Sequence, residues 1–92
     1  MLLEIVTPEA VIFNSNVDSV SVPGINGEFQ MLNNHAPIVS LLANGTIKIN
    51  GSAIVIDEDF QDKFTKVDEV YTLSIAGGTI EMRDNRVIIL AD

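Results

Sequence analysis

The feature that most restricts the fold of this chain is a period-two alternation of apolar and polar residues between tight-turn dipeptides. Ile47 and Ile49 flank Lys48, and the same spacing recurs at Ile80 and Met82. Alternation of this kind places one row of side chains in a core and the other in solvent, as in a β-strand. Asn-Gly pairs, which accept the positive φ angles of two-residue hairpin turns, begin at positions 26, 44 and 50. The pattern predicts an all-β protein.

We expect a single β-sandwich of about eight to ten short, mostly antiparallel strands, because such strands bury an apolar face only against a second sheet. The predicted strands lie near residues 3–6, 10–13, 17–22, 28–32, 38–43, 46–50, 53–56, 69–75, 79–82 and 86–90. A chain of 92 residues can support one hydrophobic core but not two. The sequence therefore predicts one domain over residues 1–92.

Two of these strands carry more specific expectations about their faces. The run Val87–Leu90 is continuously apolar instead of alternating, so both of its faces are expected to be covered. Along the strand near 69–75, the alternation predicts that one apolar face is formed by Val67, Tyr71, Leu73 and Ile75.

The acidic segment from Asp57 to Val70 is the one candidate for a helix. Phe60 and Phe64 lie four residues apart and could form an amphipathic turn continued by Val67. The neighbouring strand propensity favours a solvated acidic hairpin instead, and we expect no helix. The segment also lacks the central glycine and the terminal glutamate of a calcium-binding loop, so we expect no metal site.

The net charge excludes several classes of partner. Thirteen acidic and five basic side chains give a formal charge of −8, which opposes binding to nucleic acid. The basic residues are scattered, so nothing favours an anionic membrane surface. No apolar run approaches the roughly 18 residues of a membrane span. We expect neither nucleic-acid binding nor direct membrane insertion.

Residues capable of catalysis are few and dispersed. The chain has no cysteine and one histidine, His35, and no local spacing brings Ser40 or a carboxylate to it. His35 beside Ala36-Pro37 is interpreted as a hydrogen-bonded loop residue. The loop 23–28 lacks the lysine and the following helix of a phosphate-binding loop. We expect a non-catalytic protein without a cofactor.

Several blocks in register resemble the N-terminal β-sandwich of the F-type ATP synthase epsilon subunit. They are Gly27-Glu28-Phe29, Asn34-His35-Ala36-Pro37, Gly77-Gly78 and Leu90-Ala91-Asp92. The resemblance leaves out residues 51–67, a longer connection than is usual in that family. It implies a central-stalk subunit that links the γ subunit to the c-ring and supports coupling of proton or sodium flow to ATP synthesis. That position lies at the cytoplasmic face of the membrane, peripheral through the complex.

The resemblance also implies roles for individual residues. Glu28 and His35 match loops that meet the c-ring, at one end of the sandwich. Thr7 and Ser40 match positions that border the face packed on the γ subunit. Typical members continue after the Leu-Ala-Asp block with two helices, which bind ATP in some members. The sequence stops at Asp92, which is compatible with a naturally short form that lacks the helical domain or with a longer protein cut at the domain boundary. In either case we expect these 92 residues not to bind a nucleotide.

A second function stays open at this point. The charge of −8 and the acidic segment are also compatible with a free-standing β-sandwich module that binds a cationic peptide or a sugar. In a pull-down, a stalk subunit would bring the γ subunit and the c-ring with it in fixed stoichiometry, whereas a solitary module would not.

Overall fold

The computed structural model describes all residues from Met1 to Asp92 and confirms the all-β prediction. It contains ten strands, namely β1 (Leu2–Val6), β2 (Val11–Asn16), β3 (Ser19–Gly24), β4 (Gly27–Leu32), β5 (Ile38–Leu42), β6 (Gly45–Asn50), β7 (Thr65–Val67), β8 (Val70–Ile75), β9 (Gly78–Arg83) and β10 (Arg86–Ala91). A short 3₁₀ helix covers Glu58–Lys63.

Hydrogen bonds join the strands into one sheet that curls into two layers. The order β2-β1-β10-β9-β5 forms the first layer, and β3-β6-β8-β7 continues it as the second layer, with β4 paired to β3. Only the pair Leu42–Gly24 joins β5 to β3, which lets the sheet turn between the layers. β10 lies between β1 and β9, parallel to β1 and antiparallel to β9.

The core lies between the two layers and uses the inward half of the alternating pattern. β6 buries Ile47 and Ile49, and its Lys48 is exposed. β9 buries Ile80 and Met82 in the same way. The sequence alternation therefore specifies which side of each strand faces the core.

The segment between β6 and β7 differs from its prediction. The expected strand at 53–56 is wrong, because these residues are irregular and the Val55 backbone N–H donates to Ser15 Oγ at 3.2 Å. No α-helix forms, as expected, but a six-residue 3₁₀ helix occupies the acidic stretch in place of the expected hairpin. Phe60 packs against the core, and the Phe64 ring lies 5.6 Å from that of Phe13. Burial of these rings outweighs the local strand propensity.

The alternation predicts that Val67 shares a face with Tyr71, Leu73 and Ile75, and this prediction is wrong. It lies in the separate strand β7 and is 53% exposed. Asp68 and Glu69 have φ angles of 50° and 67° and reverse the chain between β7 and β8 in the manner of a two-residue hairpin. The turn interrupts the period-two count.

Gly78 is required by the close approach of two strands. It pairs with Ala91 and has a φ of 152°, and a Cβ there would overlap the Leu90 carbonyl oxygen. Glycine avoids both the steric overlap and the cost of that backbone conformation. The Gly-Gly block therefore fixes how β9 begins beside the end of β10.

Candidate functional site

The outer surfaces of the two layers differ in polarity. In the second layer, β6 turns Lys48 and Asn50 to solvent, and exposed large apolar side chains occur singly, at Leu32 of β4 and Val67 of β7. The first layer instead carries large exposed apolar side chains, with exposed fractions of 76% for Val39, 59% for Leu41, 51% for Leu90, 47% for Val11 and 38% for Ile88. The apolar face is defined as these five side chains together with the partly buried Val6.

Strand register aligns the apolar face into rows that cross all five strands of the first layer. One row consists of Val11, Val6, Leu90, Thr79 and Leu41. The row beside it consists of Asn14, Glu4, Ile88, Glu81 and Val39. The first row has a single polar member, so its apolar surface is nearly continuous. Contiguous exposed apolar surface of this kind marks an interaction site.

The expectation that both faces of β10 are covered is wrong for this chain alone. Val87 and Ile89 are 1% and 0% exposed, whereas Ile88 and Leu90 are 38% and 51% exposed. No layer of the chain packs over the outer side of β10, because the second layer lies on the inner side. The continuously apolar run thus supplies both the core and the apolar face.

Val39 and Leu41 were missed as site residues by the sequence reasoning. They alternate with Ile38, Ser40 and Leu42, whose side chains turn inward. The available signal was that β5 is apolar at every position except Ser40. A strand that is apolar on both sides and lies at the surface has one side left for a partner.

Ser40 and Thr7, the two residues implied to contact the γ subunit, border the apolar face without belonging to it. Ser40 lies opposite the buried Ile80, and its hydroxyl donates to the Leu41 carbonyl at 3.2 Å. The Thr7 hydroxyl donates to the Ala10 carbonyl at 3.3 Å in the turn between β1 and β2. Both hydroxyls are already used in local backbone contacts.

Glu28 and His35 lie at opposite ends of β4. Glu28 is at the start of the strand and opposite Pro23, whereas the His35 backbone N–H donates to the Leu32 carbonyl beyond the strand's far end, at 3.2 Å. The four residue steps from Glu28 to Leu32 span about 13 Å, at about 3.3 Å per step. An extended strand therefore separates the two residues, and both stay predicted contacts of the c-ring.

The two residues also have different neighbours. The Glu28 carboxylate lies 3.3 Å from Lys48 Nζ, with both side chains about half exposed. Exposed pairs of this kind contribute little to stability, so Glu28 can exchange Lys48 for another cation at low cost. His35 Nδ1 lies 2.7 Å from the Ala36 carbonyl oxygen, which is a local loop contact.

Other kinds of site have little support in the structure. No group of three or more histidine, aspartate or glutamate side chains is arranged to hold a metal ion. None of the helical structure has the length and apolar composition that crossing a bilayer requires. The apolar face and the two polar ends of the domain remain as the candidate contact surfaces.

Comparison with known sequences identifies relatives along the whole chain. The family model of the ATP synthase delta/epsilon chain β-sandwich domain matches residues 1–92, including residues 51–67. The ATP synthase epsilon chain of Campylobacter concisus is 43% identical over 90 residues, which cover 98% of this chain and 59% of the relative. The ATP synthase epsilon chain of Desulforamulus reducens is 37% identical over 90 residues, which cover 98% of this chain and 57% of the relative. The chain thus spans less than two thirds of the length of these curated relatives.

A shorter relative matches over most of its own length. The ATP synthase epsilon chain of Chlorobaculum tepidum is 33% identical over 90 residues, which cover 98% of this chain and 86% of the relative.

Solved structures share the fold. The chain matches a protein chain in the structure of the Tetrahymena thermophila mitochondrial ATP synthase central stalk/c-ring. The TM-score is 0.72 and the identity 17%, and the match covers 99% of this chain and 62% of the other. It matches another in the Euglena gracilis mitochondrial ATP synthase, OSCP/F1/c-ring, with a TM-score of 0.76 and 19% identity, covering 99% and 49%. At these identities the likeness concerns the fold.

Proposed function

This chain belongs to the family of ATP synthase delta/epsilon β-sandwich domains, and we propose that it acts as an epsilon subunit in the central stalk. In that role it carries no catalytic group. It holds the γ subunit to the c-ring and supports the coupling of proton or sodium flow to ATP synthesis. It lies at the cytoplasmic face of the membrane, as a peripheral part of the complex.

The apolar face is the observation that carries this proposal. Val39 and Leu41 on β5 and Leu90 on β10 are each more than half exposed, which is costly in water and favourable under a partner. A subunit that transmits torque needs a contact that holds in every rotational position. Apolar burial across all five strands of the first layer supplies one, and we assign the γ subunit to it.

The c-ring contact is assigned to the end of the domain that carries Glu28. The hairpin between β3 and β4 presents Ile25, 59% exposed, at its tip, and Glu28 follows it on β4. An exposed carboxylate beside an apolar tip fits a polar loop with a basic group, where charge orients docking more than it adds affinity. His35 lies at the other end, so its assignment to the c-ring requires the ring to reach a second surface.

Replacing Glu28 with lysine is expected to reduce coupling without unfolding the domain. The substitution places a second lysine beside Lys48 and reverses the charge offered to the c-ring, and like charges at an interface can cost several kcal/mol. The measurement is ATP-driven ion pumping relative to ATP hydrolysis in vesicles that contain the reconstituted complex. Glu69→Lys, which makes the same charge change in the β7–β8 turn, serves as the control. Full coupling in the Glu28 variant would remove this residue from the contact, and a loss in His35→Ala would favour the opposite end.

Cysteine protection tests the assignment of the γ subunit directly, because the chain has no cysteine of its own. We expect a thiol reagent to label Leu41→Cys and Asn50→Cys rapidly in the free chain, since both positions are exposed. Addition of the γ subunit should slow labelling at position 41 by at least about tenfold, because a buried thiol reacts only when the contact opens. Labelling at position 50, on the second layer, should not change. A solitary binding module would show no protection at either position.

A further inference from the structure

The outer surface of the first layer ends in two arginines that face each other across strands. Arg86 on β10 lies directly opposite Arg83 on β9, and both are exposed. Like charges in this position destabilise a sheet. The arrangement is notable in a chain with five basic residues and a net charge of −8. Two of the few cations are held together where they repel.

The chain offers these arginines little compensation. Lys48 and Lys66 are each paired with a glutamate, at 3.3 Å and 3.5 Å. The one ion pair of Arg83 is with the adjacent Asp84, at 3.7 Å, and both of these side chains are more than three quarters exposed. An exposed pair of this geometry contributes almost nothing to stability. No ion pair joins Arg86 to an acidic side chain. The positive charge is therefore free to meet an external anion.

The arginines also line a cavity that adjoins the apolar face. The cavity has a volume of about 270 Å³ and is lined by Glu81, Arg83, Asp84, Arg86 and Ile88. Ile88 belongs to the apolar face as well. A partner lying on that face therefore reaches the two guanidinium groups without leaving the surface.

We propose that Arg83 and Arg86 bind an aspartate or glutamate side chain of the subunit that covers the apolar face. This inference rests on the proposed function, since it takes the γ subunit as that partner. A guanidinium group offers two parallel N–H donors to a carboxylate. The pair lies at one end of β9 and β10, and the nearly continuous apolar row lies toward the other end of these strands, so the carboxylate fixes which way the partner lies along the strands. Charge used in this way sets orientation and association rate.

Arg86→Glu separates binding from stability. In the free chain this change converts a like-charge cross-strand pair into an opposite-charge pair, so the thermal midpoint should stay the same or rise. Binding to the γ subunit, measured by calorimetry with the purified full chain, should weaken by at least about tenfold and lose part of its salt dependence. Lys66→Glu makes the same charge change on β7 in the second layer, and it should alter the dissociation constant by less than about threefold.

The outcomes distinguish this inference from the function on which it rests. Equal affinity of the Arg86→Glu and Lys66→Glu chains would overturn the carboxylate contact, and it would leave the γ assignment intact if Leu41→Asp still weakened binding. Normal affinity in Leu41→Asp as well would overturn both. If Arg86→Glu lowered the thermal midpoint, Arg86→Gln decides: weaker binding with an unchanged midpoint supports the contact, and unchanged binding overturns it.

Discussion

Replacing Ile89 with alanine is expected to lower the free energy of unfolding by about 2–5 kcal/mol, through lost apolar transfer energy and the cavity left behind. Ile89 is 0% exposed and lies on β10 between Ile5 of β1 and Ile80 of β9. Strands on both sides hold its neighbours in place, so they cannot collapse into the space. A domain of this length has a total stability of only about 5–14 kcal/mol. Urea denaturation followed by circular dichroism measures the loss.

Ile88→Ala is the matched control for this prediction. It removes the same atoms from the next residue of the same strand, but Ile88 belongs to the apolar face and is 38% exposed. Its removal should cost less than about 1 kcal/mol in the free chain, because partly exposed atoms lose little transfer energy and leave no closed cavity. Equal losses for the two variants would contradict the assignment of inner and outer sides to β10.

The alternation in the sequence predicted the core well where a strand obeys it without interruption. Ile47 and Ile49 are buried around an exposed Lys48, and Ile80 and Met82 are buried in the same way. The Asn26-Gly27 dipeptide marks the turn between β3 and β4, where residues 25 and 26 connect the paired Gly24 and Gly27. Local sequence is sufficient here, since both the strand period and the turn chemistry are local properties.

The segment 51–64 could not be predicted in the same way because its structure depends on a distant contact. Phe64 is buried against Phe13, a residue 51 positions earlier in the chain. The same Phe60 and Phe64 spacing is compatible with a helix or with a hairpin until β2 is in place to receive the rings. Tertiary burial then selects the helical turn over the local preference.

The candidate site shows a similar division. An apolar run such as Val87–Leu90 has the same sequence whether its second side is covered by its own chain or by another subunit. The family resemblance identified the fold, but it did not indicate how far apart Glu28 and His35 lie in space, although they are only seven residues apart in sequence. Their separation follows from β4 being fully extended between them, and Val39 and Leu41 emerge as site residues only from the register of β5 with β9.

Replacing Leu41 with aspartate is expected to weaken binding to the γ subunit by roughly 30-fold or more, because an unpaired charge buried in an interface costs about 2–5 kcal/mol. Leu41 is 59% exposed and lies in the nearly continuous apolar row, which contains no basic side chain. The free domain should remain folded, since exposed substitutions change stability by only about 0.5 kcal/mol. Calorimetric titration of the γ subunit with each chain provides the dissociation constants.

Asn50→Asp adds the same negative charge to the polar surface of the second layer and should bind like the unmodified chain. The comparison therefore separates a local desolvation cost from a general effect of net charge. The loss should also persist at high salt, because the cost arises from burying a charge away from water, which mobile ions screen only weakly. Similar affinity of the two variants would mean that the γ subunit does not cover β5, and the apolar face would then have to be assigned to a different partner.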